Sequence, residues 1–408
     1  MPKPIPSLII ASGLALAAQT ATAQDYSAQF GELGITGTVA TLSDIENPTP
    51  SDRFALGGAL FLQGIEATFQ ERYRVGLNDL DMGIPGLSTE LNFNPNPDPF
   101  TPDVITNLFQ QIGTSMDQAQ QALSPITDTD DVAVTLDLNQ IWFDINANGI
   151  RDENEDLLPV MVPLFVSRWQ VQDTLDAFAA AGGAPTVTFD TSDAAWLQAY
   201  THVFSGTAEM VIAFDPTDVI AKVQTNAATI AELRNGPAPM MFMSPQDEEL
   251  ADLITIVLGV LEREPDPTHT RAALDDFRAV ISHNLAFWDR VRAETDNDME
   301  FIPNATQDSA LGLLFPDNID SAWQAVLTEA SMVLEGELLI PHWRTGDQVG
   351  INLNKWLENP SALDVIGVIA GSDLAPYMER GPLATGDAMT QFDRVTGGNF
   401  ALFAFTLN

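Results

Sequence analysis

The chain has 408 residues, 57 Asp and Glu against 17 Lys and Arg, a formal net charge of −40 and no cysteine. A hydrophobic content of 45% separates it from disordered acidic tails, and the missing thiols exclude disulfide frameworks, zinc fingers and iron–sulfur or c-type haem sites. A surface this anionic repels phosphate backbones and anionic lipid head groups, which argues against nucleic-acid and peripheral membrane binding.

The first residues read as a leader. Lys3 supplies a positive start, Leu8 to Ala18 form a short apolar run, and Ala21-Thr22-Ala23 has the small-x-small pattern of a cleavage site. Residues 1–23 are therefore expected to be a cleaved signal peptide, with the mature chain starting at Gln24 in the periplasm or outside the cell. No later stretch reaches the roughly 18–20 apolar residues of a membrane span.

Apolar periodicity then predicts a series of helices. Ser51/Asp52 can cap one through Phe54, Leu60, Phe61, Ile65 and Phe69 to about Tyr73. Residues 76–100, with Gly83, Pro85, Gly86, Pro95, Pro97 and Pro99, suit only turns and extended chain. Thr101-Pro102-Asp103 opens a second helix through Ile112. Residues 132–142 read two ways: Val132, Val134, Leu136 and Leu138 alternate as in a strand, whereas Val134, Leu138, Ile141 and Trp142 fit a helix. Further helices are expected at 173–181, from Ser192/Asp193 to Phe214, and at 218–233. The Pro-, Gly- and Met-rich stretch Asn235 to Pro245 is the candidate boundary. Beyond it helices are expected at 247–262, 269–294, 322–334 and 363–370, and Phe400 to Phe405 alternates like a strand or an extended core segment. Trp169, Trp196, Trp288, Trp323 and Trp356 stand beside aliphatics as core anchors. The expected fold is mainly α, an irregular multi-helix globular fold with long Pro/Gly-rich loops and little β. It is organised as regions 24–235 and 246–408, separate or continuous, and no fixed-period repeat suggests a solenoid.

One motif carries specific chemistry. Residues 144–155 run Asp-Ile-Asn-Ala-Asn-Gly-Ile-Arg-Asp-Glu-Asn-Glu. Calcium takes six to eight hard oxygens, and twelve residues can wrap one ion when ligands fall at alternate positions. Asp144, Asn146 and Asn148 occupy positions one, three and five, and Gly149 stands at the sharp turn of position six. Ile150 offers its carbonyl at seven, Asp152 stands at nine, and Glu155 closes the loop at twelve. Over these twelve residues the chain resembles an EF-hand calcium loop, which implies bound Ca2+. Two features depart from that pattern: Arg151 replaces the usual aliphatic at position eight, and no second complete loop follows. Asp296-Asn-Asp298-Met-Glu300 begins with the right alternation but has Phe301 where glycine is required. A lone loop with three carboxylates implies a structural ion of weak affinity, about 10⁻⁵–10⁻³ M.

Other clusters are less specific. Glu294 to Asn304, with Gln307, is densely polar and reads as a second cation site, a substrate loop or a solvated helix exit. Pro341-His342-Trp343-Arg344 combines a base, a guanidinium and an aromatic wall. His202, His269, His283 and His342 are far apart and lack metal-site spacing, and no nucleophile elbow, Walker loop or dinucleotide fingerprint occurs. The sequence points to an exported acidic calcium-binding protein with a non-catalytic binding or structural role in the cell envelope. The alternative is a periplasmic hydrolase using carboxylates with His342 and Arg344.

Overall fold

The computed structural model describes residues 23–77, 91, 93–165, 170–234, 245–295, 297, 299–312, 315–316 and 318–407. The leader up to Thr22, Trp169, Asp296, Asp298 and the boundary from Asn235 to Ser244 lie outside the described residues. The protein is mainly α, an irregular multi-helix globular fold with little β. No helix among the described residues is long and apolar enough to cross a membrane.

Helix starts are set by side chains that satisfy the first free N–H groups. α1 (Ser27–Ser43) precedes α2 (Pro50–Arg74), which is capped by Thr49. The Thr49 hydroxyl accepts from Asp52 N at 3.1 Å, and Thr49 N donates to the Asp52 carboxylate at 2.8 Å. This reciprocal box moves the cap upstream of the expected Ser51/Asp52. The same arrangement begins α6 (Thr191–Phe214), where Asp190 accepts from Ser192 N and Asp193 N while Asp193 accepts from Asp190 N. Asp190, rather than Ser192 or Asp193, is therefore its cap. α3 (Val104–Leu123) lies against α2 at glycines: a Cβ at Gly57 would come within 2.5 Å of Leu123, and one at Gly64 within 2.7 Å of Met116.

The segment with two sequence readings is a strand. β2 (Ala133–Asp137) pairs in parallel with β1 (Gln24–Asp25) and antiparallel with β3 (Thr186–Asp190), Val134 lying opposite Phe189. Its inner face joins Phe30, Ile35, Phe54 and Phe69 of α1 and α2 in the largest core. Between the strands come α4 (Leu157–Phe165) and α5 (Val171–Ala181).

α7 (Thr217–Leu233) and α8 (Pro245–Leu261) lead to α9 (Pro267–Val291), which packs extensively against α6. α10 (Ile319–Leu334), α13 (Asp387–Val395) and α14 (Phe400–Leu407) close a second core with α9 around Trp288, Trp323 and Phe392. The alternating segment at 400–405 is thus helical, not a strand or extended chain. Phe400, Phe403 and Leu407 lie on its core side, and Asn284 in α9 donates to the Leu407 carbonyl while accepting from the Trp323 indole. A small antiparallel sheet of β4 (Ile340–Pro341), β5 (Val349–Ile351) and β6 (Met378–Arg380) stands near α11 (Leu353–Glu358) and α12 (Val365–Ala370). Of the expected core tryptophans, Trp288, Trp323 and Trp356 are buried and Trp196 is packed against both cores.

Candidate functional site

The loop at 144–155 is the tip of a short antiparallel pairing. Phe143 N donates to the Glu155 carbonyl at 2.8 Å and Leu157 N to the Ile141 carbonyl at 3.0 Å, with Trp142 opposite Asp156. Inside it, carboxylates and amides organise the backbone. Asp144 accepts from Asn148 N and Gly149 N, each at 2.9 Å, using both oxygens. Asn146 Oδ1 accepts from Asn148 N at 3.0 Å and Asn148 Oδ1 from Ile150 N at 2.7 Å. Gly149 has φ +73°, and a Cβ there would meet nothing within 4 Å, so its backbone conformation rather than crowding requires glycine. Ile150 is exposed.

Glu155 is fully buried at the close of the loop. Its two oxygens accept from Ile145 N at 3.0 Å and Asp152 N at 2.8 Å. Burial pushes the Glu155 carboxyl up despite these donors, and the charges of Asp152 and Asp144 add to the rise. The amide groups of Asn146 and Asn148 both donate to one Asp152 oxygen at 2.8 Å. Three carboxylates, two amides and the Ile150 carbonyl match a hard cation in kind and number. The two amides present their N–H groups to Asp152, while their oxygens accept from the backbone. Among the described residues no three His, Cys, Asp or Glu side chains form a group that could hold a metal ion. The calcium reading therefore depends on the amide and carbonyl ligands as well as the carboxylates.

Two residues of α2 hold the loop from behind. Glu66 accepts from Asp144 N at 2.9 Å and Gln70 donates to the Asp144 carbonyl at 2.8 Å. Burial pushes the Glu66 carboxyl up to about 7, with the Asp144 and Glu155 charges contributing. A glutamate between Ile65 and Phe69 on a buried helix face was the available sequence signal for this support. Arg151 folds back on the hairpin base, pairing with Asp156 at 2.7 Å and donating to the Asn139 carbonyl. Position eight is thereby used within the loop's own stem instead of for pairing with a second loop.

The remaining candidates separate. Glu294 bonds Ser192 and Gln307 beside the start of α6, and the Glu300 backbone bridges Thr188 of β3 and Ser309. Burial, then the Asp190 charge, raises Glu294 to about 7, and the same two causes hold Asp193 well above the ordinary range. His342, Trp343 and Arg344 instead reach the Val368, Ile369 and Ala370 carbonyls at 3.3, 2.8 and 2.6 Å. Those are the last carbonyls of α12, which lack partners within the helix. The reactive-looking triplet is a helix C-cap. Of the other histidines, His202 and His283 stack at 5.4 Å although 81 positions apart, and His202 and His269 pair with Asp276 and Glu209. Burial lowers His283 to about 4, with the His202 and Arg290 charges adding.

No protein-family model matches this chain, and no curated protein or solved structure is similar enough to match it either.

Proposed function

We propose that this is an exported, periplasmic or secreted, acidic protein that binds one calcium ion at Asp144, Asn146, Asn148, Ile150, Asp152 and Glu155. The ion is structural, and the protein's role in the cell envelope is non-catalytic binding or support. The observation that carries the reading is the complete ligand register around a glycine in the left-handed conformation, closed by a buried glutamate. The hydrolase alternative asks His342 and Arg344 to converge with the acids of 294–307. Their hydrogen bonds to α12, set against those of Glu294 around α6, support the non-catalytic role.

Calorimetric titration of chelator-treated protein tests the proposal. One calcium site is expected with Kd about 10⁻⁵–10⁻³ M, lost in Glu155→Gln and retained in Glu153→Gln. Absence of binding heat at millimolar calcium would reduce the loop to a turn built by asparagine and aspartate.

A further inference from the structure

Protein interiors are packed about as densely as organic crystals, with few voids larger than a water molecule. Here a cavity of about 500 Å³ lies between the inner face of the first sheet, α2, α4 and α6. That is within the range of small-molecule sites, roughly 300–1,000 Å³. Its deep wall is Phe54, Leu136, Ile141, Phe189 and Leu197, all buried. Its outer wall is Leu158, Met161, Phe178 and Leu311, which are half-buried and so reach both the cavity and solvent. Among the described residues no charged side chain lines it. Its polar side chains are Thr174, Tyr200, Thr406 and the indole of Trp196, which donates to the Thr406 carbonyl at 3.0 Å. Water needs two to four partners, and a wall this predominantly apolar favours apolar occupants over water.

α4 gives a second, independent reason. Leu-Leu-Pro-Val-Met-Val-Pro-Leu-Phe is apolar all round, a pattern that belongs in a core. Yet Leu157, Leu158, Pro159, Met161 and Pro163 are only half-buried. Leu157 and Met161 pack against the first core and, with Leu158 and Val162, also line the cavity, so a bound apolar molecule would extend the contacts of this helix.

We infer that this cavity binds one uncharged, lipid-like molecule, an aliphatic chain or fused ring system of roughly 15 non-hydrogen atoms. The size follows from about 30 Å³ for each small group, the share of one water. A free carboxylate is disfavoured twice, since no cation among the described residues lines the wall and the protein carries a charge of −40. The inference stands apart from the calcium reading.

The test is titration of the purified protein with N-phenyl-1-naphthylamine, a neutral fluorophore that brightens in apolar surroundings. Saturable 1:1 enhancement is expected. Displacement by 1-hexadecanol indicates a chain site and displacement by pyrene a fused-ring site; palmitate at pH 8 should compete at least tenfold more weakly than hexadecanol. Gly58 lines the cavity, and a Cβ there would meet only Leu197, at 3.8 Å. Gly58→Phe should therefore fill the space and weaken the probe at least tenfold, and Met161→Trp at the outer wall gives a second reading should that variant not fold. Ile254→Gln, on the exposed apolar side of α8, should leave binding unchanged. No saturable enhancement, enhancement retained in both cavity variants, loss in Ile254→Gln, or palmitate equal to hexadecanol would each overturn the inference.

Discussion

Leu157 donates its backbone N–H to the carbonyl of Ile141 at 3.0 Å, and both residues line the apolar cavity. The same bond closes the stem of the 144–155 loop, so the proposed ion site and the cavity wall share one piece of backbone. Calcium at a hundred times Kd should add about 2.7 kcal/mol of stability by linkage. Hydrogen exchange should slow in the stem and in α4 when calcium replaces chelator at matched ionic strength. Equal exchange there in both conditions would show that loop and cavity are energetically separate.

Glu155→Gln should cost stability in two distinguishable parts. Both glutamate oxygens accept backbone N–H groups, whereas a glutamine turns its NH2 toward one of those donors. Leaving a buried donor unpaired costs about 1–3 kcal/mol, which should be visible in chelator. The remaining loss should appear only with calcium. Identical losses in the two conditions would remove the ion from the explanation.

Stability should fall as pH rises from about 4.5 to 7, part of it through Glu294. Its folded pKa of about 7 exceeds the ordinary 4.5, so folding favours the protonated form. The contribution is full below the unfolded pKa and is lost as pH climbs through the folded one. Asp193 acts in the same direction. Glu294→Gln should flatten the dependence of the unfolding midpoint on pH, and an unchanged slope would assign it to other carboxyls.

Adjacent glycines in α2 should respond oppositely to alanine. At Gly57 the added Cβ would lie 2.5 Å from Leu123, which is fully buried. Overpacking of about 1–3 kcal/mol there outweighs the better helix propensity of alanine. At Gly58 the nearest atom is 3.8 Å away, so Gly58→Ala should gain up to about 1 kcal/mol. Thermal melts of the pair check the signs, and shifts in the same direction would contradict the close α2–α3 contact.

His342→Ala should lower stability by about 1 kcal/mol or less, because one hydrogen bond to a helix end is lost. Amide exchange should speed up within 365–371 and not elsewhere. A larger, global loss would mean that His342 anchors more than the end of α12.

Features written in local chemistry were legible in the sequence. The 144–155 loop was found from its alternation of Asp and Asn about a glycine, and most helices from their apolar spacing. Cap positions were displaced by two or three residues because Thr49 and Asp190 work jointly with Asp52 and Asp193, and only the inner partners were read. α1 was missed: its 17 residues include three glycines and several β-branched residues, and it kinks at Gly34, where φ is 67°. Contacts made by folding left no comparable signal. The His202–His283 stack arises because α6 and α9 pack together, and the heptad spacing of His269, Asp276 and His283 was its only trace. The cavity is a property of packing, hinted at only by an all-apolar helix containing two prolines.

The first sheet also fixes an order of events. Its strands begin at Gln24, Ala133 and Thr186, so Asp25 has no partner until Thr135 arrives, and the pairing of β2 waits for Asp190. A ribosome adding about 5–20 residues each second takes on the order of ten to thirty seconds to span that interval. Through that time Gln24 and Asp25 lack their strand partners, whereas the local contacts of α1 and α2 need no such wait. The first sheet is thus completed only after Asp190 has been made, later than the local turns of α1 and α2 on its amino-terminal side.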